Sequence, residues 1–427
     1  MRGLRRWDVL ALLAVLLLAA ALRLGEPGVL EFLHDEAMLS LMAQDMAAGG
    51  SIPLTGIPSS VGIPNPPTSV YVMALPYALS HSPQFATLFV AALNVIGVGL
   101  LWGIARRWFG AGVALAAGLI YAVNPWALLY SRKIWAQDFQ TPFILLALLL
   151  ALYGFREGRR WAQVLCLPVL FFGLQIHFAA WALLPLFIVL IVRGLRRRDG
   201  IVAAAIIGIL LALLTLLPFA LGLADTLARE PYRLENLLNR GGGGLSLSAD
   251  ALRYSLNLAS GLGLETWVAP QQQVDLLAQI AAPSALLVVA LALLVIGTWA
   301  VLRRPLGWLL IAWALLPLLV FTPTWTPVYP HYFITALPAY ALLMGVGAVY
   351  VFTVLRSVRM GCIPSLRPIL RPALMTVGAA LLITQVLYWR GVLRYVETTA
   401  TPYGFGTPMS GLLAVRDALA DEDDVLV

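Results

Sequence analysis

Charge is scarce in this chain. Only 11% of its 427 residues are Asp, Glu, Lys or Arg, against about 25% in an ordinary globular domain. Length alone suggests several soluble domains, but a soluble fold of this size needs far more charge to cover its surface, so that reading is excluded. Lysine is nearly missing: Lys133 is the single one, and every other basic residue is arginine. The arginines lie mostly in short clusters between apolar runs, so the net charge of +7 does not describe a nucleic-acid-binding face. Cysteine occurs twice, too rarely for a disulfide scaffold. Cys166 lies within an apolar run and Cys362 in a basic loop, so two free thiols and no disulfide are expected. Glycine has no collagen period, and the aliphatic content excludes disorder.

What is present is apolar length. The AVILMFWYC residues make up 61% of the chain, gathered into runs long enough to cross a hydrocarbon core of about 30 Å. The first covers 8–24, behind Met1-Arg-Gly-Leu-Arg-Arg6. It is too long for a secretory h-region and has no small-residue cleavage site, so it reads as a retained span. Further spans are expected over 85–105, 111–130, 139–155, 162–177, 179–192, 201–223, 282–302, 306–321, 333–355 and 373–388. The fold class is therefore an all-α integral membrane protein of about eleven transmembrane helices.

Orientation follows from the arginines. With the N-terminus cytoplasmic, the clusters Arg106-Arg107, Arg156/Arg159/Arg160, Arg193/Arg196–Arg198, Arg303-Arg304 and Arg356/Arg359/Arg367/Arg371 all fall on the inner side. The expected organisation is a polytopic domain over 1–388 with outside loops at 26–84 and 224–281. The first loop carries amphipathic stretches at 35–48 and 67–80. An outside C-terminal segment, 389–427, ends like a helix leading into a strand, and the natural chain is expected to continue past Val427. Localisation is a plasma membrane, with any site on the outer face.

Three clusters on that face carry candidate chemistry. His34-Asp35-Glu36 sets two carboxylates side by side, which suits a general base and a supporting group. It equally suits a helix cap at Asp35 with Glu36 in the first turn, and His34 reads as a polar loop residue. Asn124-Pro-Trp-Ala-Leu-Leu-Tyr-Ser-Arg-Lys-Ile-Trp-Ala-Gln-Asp138 holds Arg132 and Lys133 against the charge bias. Phosphate binding explains cations there; snorkelling to lipid headgroups explains them too. Thr322-Pro-Thr-Trp-Thr-Pro-Val-Tyr-Pro-His-Tyr332 offers His331 and Tyr332 for a phosphate or a sugar hydroxyl, though it also reads as an interfacial aromatic turn. His177 reads as a packed or interfacial residue. Gly241–Gly244 lacks the strand, helix and Lys-Ser/Thr of a nucleotide loop, and no ligand cluster has metal spacing.

In order and topology these pieces resemble the GT-C superfamily of membrane glycosyltransferases, with family 39, the protein O-mannosyltransferase and aminoarabinose-transferase-like enzymes, as the nearest branch. The resemblance spans nearly the whole chain. It rests on Asp35-Glu36 in a long first outside loop and on Asn65-Pro-Pro-Thr-Ser-Val-Tyr71, where the family often has His-Pro-Pro-Leu. It also rests on Asn124-Pro…Ser131-Arg132…Asp138, and on Pro330-His-Tyr…Leu337-Pro338, where the family often has Pro-Arg-Tyr…Leu-Pro. Two departures stand out: His331 replaces the usual Arg, and Asp138 follows Arg132 by six residues instead of five.

The resemblance implies an inverting transferase moving a sugar from a polyprenyl phosphate to a lipid, glycan or protein acceptor. Asp35 would be the base, with Glu36 supporting it. Arg132 would bind the donor phosphate with Lys133 competing for that role, and His331 and Tyr332 would stand nearby. His34, Asn65 and Asp138 complete the candidates. No cofactor is certain, although a divalent metal bridging Asp35 and the phosphate is compatible with the chemistry. The partners implied are the polyprenyl-linked donor, the acceptor and membrane lipids. The main rival is a multi-pass transporter or a flippase of lipid-linked glycans. A transporter favours inverted repeats and mid-membrane ionisable residues, which the spans lack.

Overall fold

The computed structural model describes residues 5–59, 62–196, 202–239, 246–324, 327–357 and 367–419. The Gly241–Gly244 run, Cys362 and the chain end beyond Leu419 lie outside the described residues, as does part of the basic loop before Arg367. Helix dominates. In chain order the helices are α1 (Arg6–Leu24), α2 (His34–Ala47), α3 (Thr68–Tyr77), α4 (Pro83–Trp108), α5 (Ala111–Val123), α6 (Pro125–Leu129) and α7 (Gln140–Ala151). They continue with α8 (Arg160–Ile176), α9 (Leu184–Leu195), α10 (Val202–Arg229), α11 (Tyr232–Asn239), α12 (Asp250–Ser260) and α13 (Glu265–Val268). The last are α14 (Pro283–Leu302), α15 (Gly307–Phe321), α16 (Leu337–Ser357), α17 (Arg367–Thr398) and α18 (Met409–Leu419).

Among the described residues 8 helical segments are long and apolar enough to cross a membrane, and Ala111–Val123, Arg160–Ile176 and Gly307–Phe321 are shorter apolar helices. Each overlaps one of the expected apolar runs, several extending a few residues beyond it. The run expected over 111–130 is cut short for a local reason. Pro125 has no N–H to give and disfavours helix at the residue before it, so α5 stops at Val123 and Asn124 turns extended. The Asn124 side chain then caps α6, accepting from the Ala127 N–H at 3.0 Å, and donates to the Leu258 carbonyl in α12 at 2.8 Å.

The largest core joins α1, α4, α5, α7, α8, α15 and α16 around Trp102, Tyr121, Trp126, Trp313 and Phe333. A second core, with Leu39, Met73, Tyr77, Val90 and Phe139, lies under the first loop. The two amphipathic stretches of that loop are α2 and α3, which pack on one another. Close helix contact relies on small residues, as is usual where both partners are apolar. A Cβ at Gly297 of α14 would overlap the Leu343 carbonyl of α16, and one at Gly347 would overlap the Leu293 carbonyl. The only strand pairing among the described residues is a two-residue antiparallel ladder, Ser246 opposite Thr324 and Leu247 opposite Pro323.

Two buried arginines tie the helix ends that carry the site. Arg23, at the end of α1, donates to the carbonyls of Tyr121 and Ala122 at the end of α5, at 3.2 and 2.9 Å. Arg132 returns the contact. Its guanidinium donates to the carbonyls of Leu22, Arg23, Gly25, Glu26 and Val29. The last helical carbonyls have no partner within their own helix and carry the negative end of its dipole, so each arginine neutralises the other segment's helix end. Glu26 has φ +52, a backbone that side chains rarely adopt, and its carbonyl is one that Arg132 holds.

The C-terminal segment closes the same end of the bundle. After α17, residues 400–410 run as a strap between two loops. Met409 and Ser410 donate backbone N–H groups to the carbonyls of Leu30 and Gly28, and Phe405 donates to Val268.

The Arg132 fork makes a direct prediction. Lysine offers one ammonium and cannot span five carbonyls, so Arg132→Lys leaves buried acceptors unsatisfied. The expected loss is on the order of 3 kcal/mol, read as a lower midpoint in thermal unfolding of the detergent-solubilised protein. An unchanged midpoint would contradict the clasp.

Candidate active site

Where the first loop, the 130–139 turn, the 254–270 segment and the strap meet, a cavity of about 500 Å³ opens, within the range of small-molecule sites. Its lining includes Glu31, His34, Asp35, Glu36, Lys133, Trp135, Trp267 and Tyr403. The first loop positions the carboxylates through α2. Leu33, not Asp35, is the N-cap, which corrects the cap expected from sequence. The capping contact falls to Glu36, whose Oε2 accepts the Leu33 N–H at 3.0 Å. Asp35 sits in the first helical turn, exposed, with its Oδ2 accepting the Trp135 indole N–H at 3.1 Å.

Lys133 projects into the cavity. Its Nζ is 2.9 Å from Glu31 Oε1 and 3.8 Å from Glu36 Oε1, and it rests 4.1 Å from the centroid of the Trp135 ring, a cation–π distance. One indole thus touches both the carboxylate and the cation. Burial disfavours the ammonium, yet Glu31 and Glu36 outweigh it and hold Lys133 above its ordinary value. Burial also raises the Glu36 carboxyl to about 6, against the pull of Lys133 and with Glu31 adding to the rise. Two carboxyl groups, Glu31 and Glu36, flank one ammonium here, and a proton on Glu36 relieves the imbalance.

An aromatic wall stands behind Trp135. His331 meets its ring edge-on at 4.5 Å, stacks on Tyr329 at 5.5 Å and meets Tyr332 at 4.6 Å. His177 lies 6.0 Å from His331 and hydrogen-bonds Gln137 through Nε2 at 3.1 Å. His331 Nδ1 is buried without a hydrogen-bond partner, as are both carboxylate oxygens of Asp138.

The residues singled out from sequence therefore separate into groups. His34, Asp35, Glu36 and Lys133 share the cavity lining. His331 and Tyr332 form the wall behind it. Arg132, adjacent to Lys133 in the chain, is 3% exposed and its donors are spent on the carbonyls of the clasp. Asn65 braces the first loop, donating to the Ile57 and Pro58 carbonyls at 3.1 and 3.2 Å. Asp138 is fully buried and its backbone carbonyl accepts from Asn94 at 2.7 Å. Sequence reasoning did not single out Glu31, Trp135, Trp267 or the strap. Glu31 had one legible signal: it is a carboxylate in the loop that faces the single lysine. Among the described residues no three His, Cys, Asp or Glu side chains gather to hold a metal ion.

Residues 64–221 match the family model described as dolichyl-phosphate-mannose-protein mannosyltransferase. Among solved structures, ArnT from Cupriavidus metallidurans bound to undecaprenyl phosphate is 16% identical with a TM-score of 0.58, over 97% of this chain and 79% of that one. The same protein in the apo state gives 16% identity and a TM-score of 0.56, over 91% of this chain and 75% of that one. The Archaeoglobus fulgidus oligosaccharyltransferase, in complex with Zn and sulfate, is 15% identical with a TM-score of 0.60, over 97% of this chain and 56% of that one. No curated protein sequence matches the chain. The fold is that of the GT-C membrane glycosyltransferases. The chain also resembles glycosyltransferase family 39 over the residues the family model matches.

The raised Glu36 carboxyl gives a prediction whose sign can be worked out. Its folded value of about 6 lies above the ordinary 4.5, so the folded state holds the proton more tightly and gains stability as pH falls through that window. Glu36→Gln mimics the protonated form. The variant should melt higher than the wild type above pH 7, and the gap should close as pH falls from about 6 towards 4.5. A gap independent of pH would mean that Glu36 does not titrate there.

Proposed function

We propose that this protein is an inverting glycosyltransferase that takes a sugar from a polyprenyl phosphate and delivers it to an acceptor hydroxyl at the outer membrane face. The observation that carries the reading is the joint contact of Trp135 with Asp35 and Lys133, which sets a free carboxylate and a buried ammonium on one cavity. The GT-C fold, and the mannosyltransferase family model over part of the chain, support the same class.

The donor carries its own leaving group, a lipid phosphate joined to the sugar through a phosphodiester, so no nucleotide fold is required. Lys133 meets the phosphate oxygens, and its charge grows in value as the bond to the anomeric carbon breaks and the lipid phosphate gains a second negative charge. Asp35 accepts the proton of the acceptor hydroxyl as its oxygen attacks the anomeric carbon from the opposite side. One C–O bond forms, one breaks, and configuration inverts. Glu31 is then the resident counterion that the donor phosphate displaces from Lys133. Glu36 lowers the electrostatic cost of an anionic donor when it holds a proton. This reading moves the phosphate contact from Arg132 to Lys133, because Arg132 has its donors engaged by backbone carbonyls.

Transfer from radiolabelled polyprenyl phosphate sugars, in membranes bearing each variant, tests this. Asp35→Asn should abolish turnover with an unchanged melting temperature, whereas Lys133→Gln should raise the donor KM tenfold or more. An active Asp35→Asn enzyme would sink the assignment of Asp35 as the base, and no transfer from any donor by a folded wild type would favour the transporter or flippase. The bridging role of Trp135 has its own signature. Trp135→Phe keeps a ring for Lys133 but removes the N–H from Asp35, so kcat should fall by one to two orders of magnitude while the donor KM stays within about twofold.

A further inference from the structure

The strap carries a residue that the donor chemistry does not use. Tyr403 is 88% exposed and lines the same cavity as Asp35. Its φ of +61 lies in the left-handed region, where a tyrosine is strained and a glycine is not. A large ring held open to solvent on a strained backbone needs the surroundings to enforce it, and here they do. Gly404 and Gly406 donate to the Thr401 carbonyl and Phe405 donates to Val268. The Thr401 hydroxyl bonds the Gly406 carbonyl at 3.2 Å. Gly404 lies so close to the 268–270 backbone that a Cβ would overlap the Val268 carbonyl.

We propose that Tyr403 is the stacking platform of the acceptor subsite and that the group it holds is a carbohydrate ring. This deepens the glycosyltransferase reading and rests on it. A sugar ring offers a flat C–H face and a rim of hydroxyls. The cavity offers the complement: Tyr403, Trp267 and Tyr254 supply aromatic faces, while Asp35, His34 and Thr266 supply polar groups. A polypeptide acceptor is the less suited occupant. An extended peptide is read through main-chain hydrogen bonds, and the N–H groups of Gly404, Phe405 and Gly406 are already engaged.

The test is transfer of labelled sugar from polyprenyl phosphate to a series of octyl hexopyranosides and, in parallel, to a short peptide bearing serine and threonine. Tyr403→Gly should raise the KM for the glycoside at least tenfold, leave the donor KM unchanged and keep or raise the melting temperature, because glycine relieves the strained φ. Tyr403→Phe retains the ring and should behave as wild type. A residue that serves only the fold would lower the melting temperature and leave the ratio of the two KM values alone. An unchanged glycoside KM in Tyr403→Gly, or transfer to the peptide alone, overturns the proposal while the glycosyltransferase reading stands. No transfer by the wild type to either acceptor overturns both.

Discussion

The constraint on which the rest of this structure depends is the fate of backbone carbonyls at helix ends in an apolar bundle. Leaving such a group unpaired away from water costs several kcal/mol. Arg23 and Arg132 answer that cost for each other's segments, α1 and the α5 end. Because Arg132 also holds Gly25, Glu26 and Val29, the path from α1 into the first loop is fixed. Glu31 and Asp35 emerge at the cavity as a result. The clasp is thus a structural device whose product is the orientation of a carboxylate several residues away.

Adjacent cations have divided their work. Arg132 spreads its charge over several neutral acceptors, which a planar fork of donors does well. Lys133 concentrates its charge on carboxylates and on the face of an indole. A compact ammonium already balanced by acids is able to exchange one anion for another without leaving a buried charge bare, which is what an incoming phosphate requires. On the proposed reading that exchange depends on pH, since burial raises Glu36 to about 6.

The apolar runs were legible because a hydrocarbon core demands length and composition and little else; all eleven appear as helices. Pro125 was the local signal that shortened one of them. Asp35 and Glu36 were legible as a pair, but not which of them caps α2, because that depends on where the loop delivers the chain. The sequence could not separate Arg132 from Lys133 either. Their difference lies in partners roughly a hundred residues away: carbonyls for one and Glu31 for the other. His331 and Tyr332 stand together as their spacing requires, while the wall they form with Trp135 and His177 joins three distant segments. Tyr403 had no signal at all, since exposure and a positive φ are tertiary facts.

The strap has a consequence in time as well as in space. It joins a segment made after α17 to a loop that follows the first helix, through the bonds from Met409 and Ser410 to Leu30 and Gly28. Every helix through α17 can enter the membrane before the cavity has its final wall. A chain in mid-synthesis therefore holds its carboxylates and its lysine in an open cleft, and the site acquires its far side only when the strap arrives.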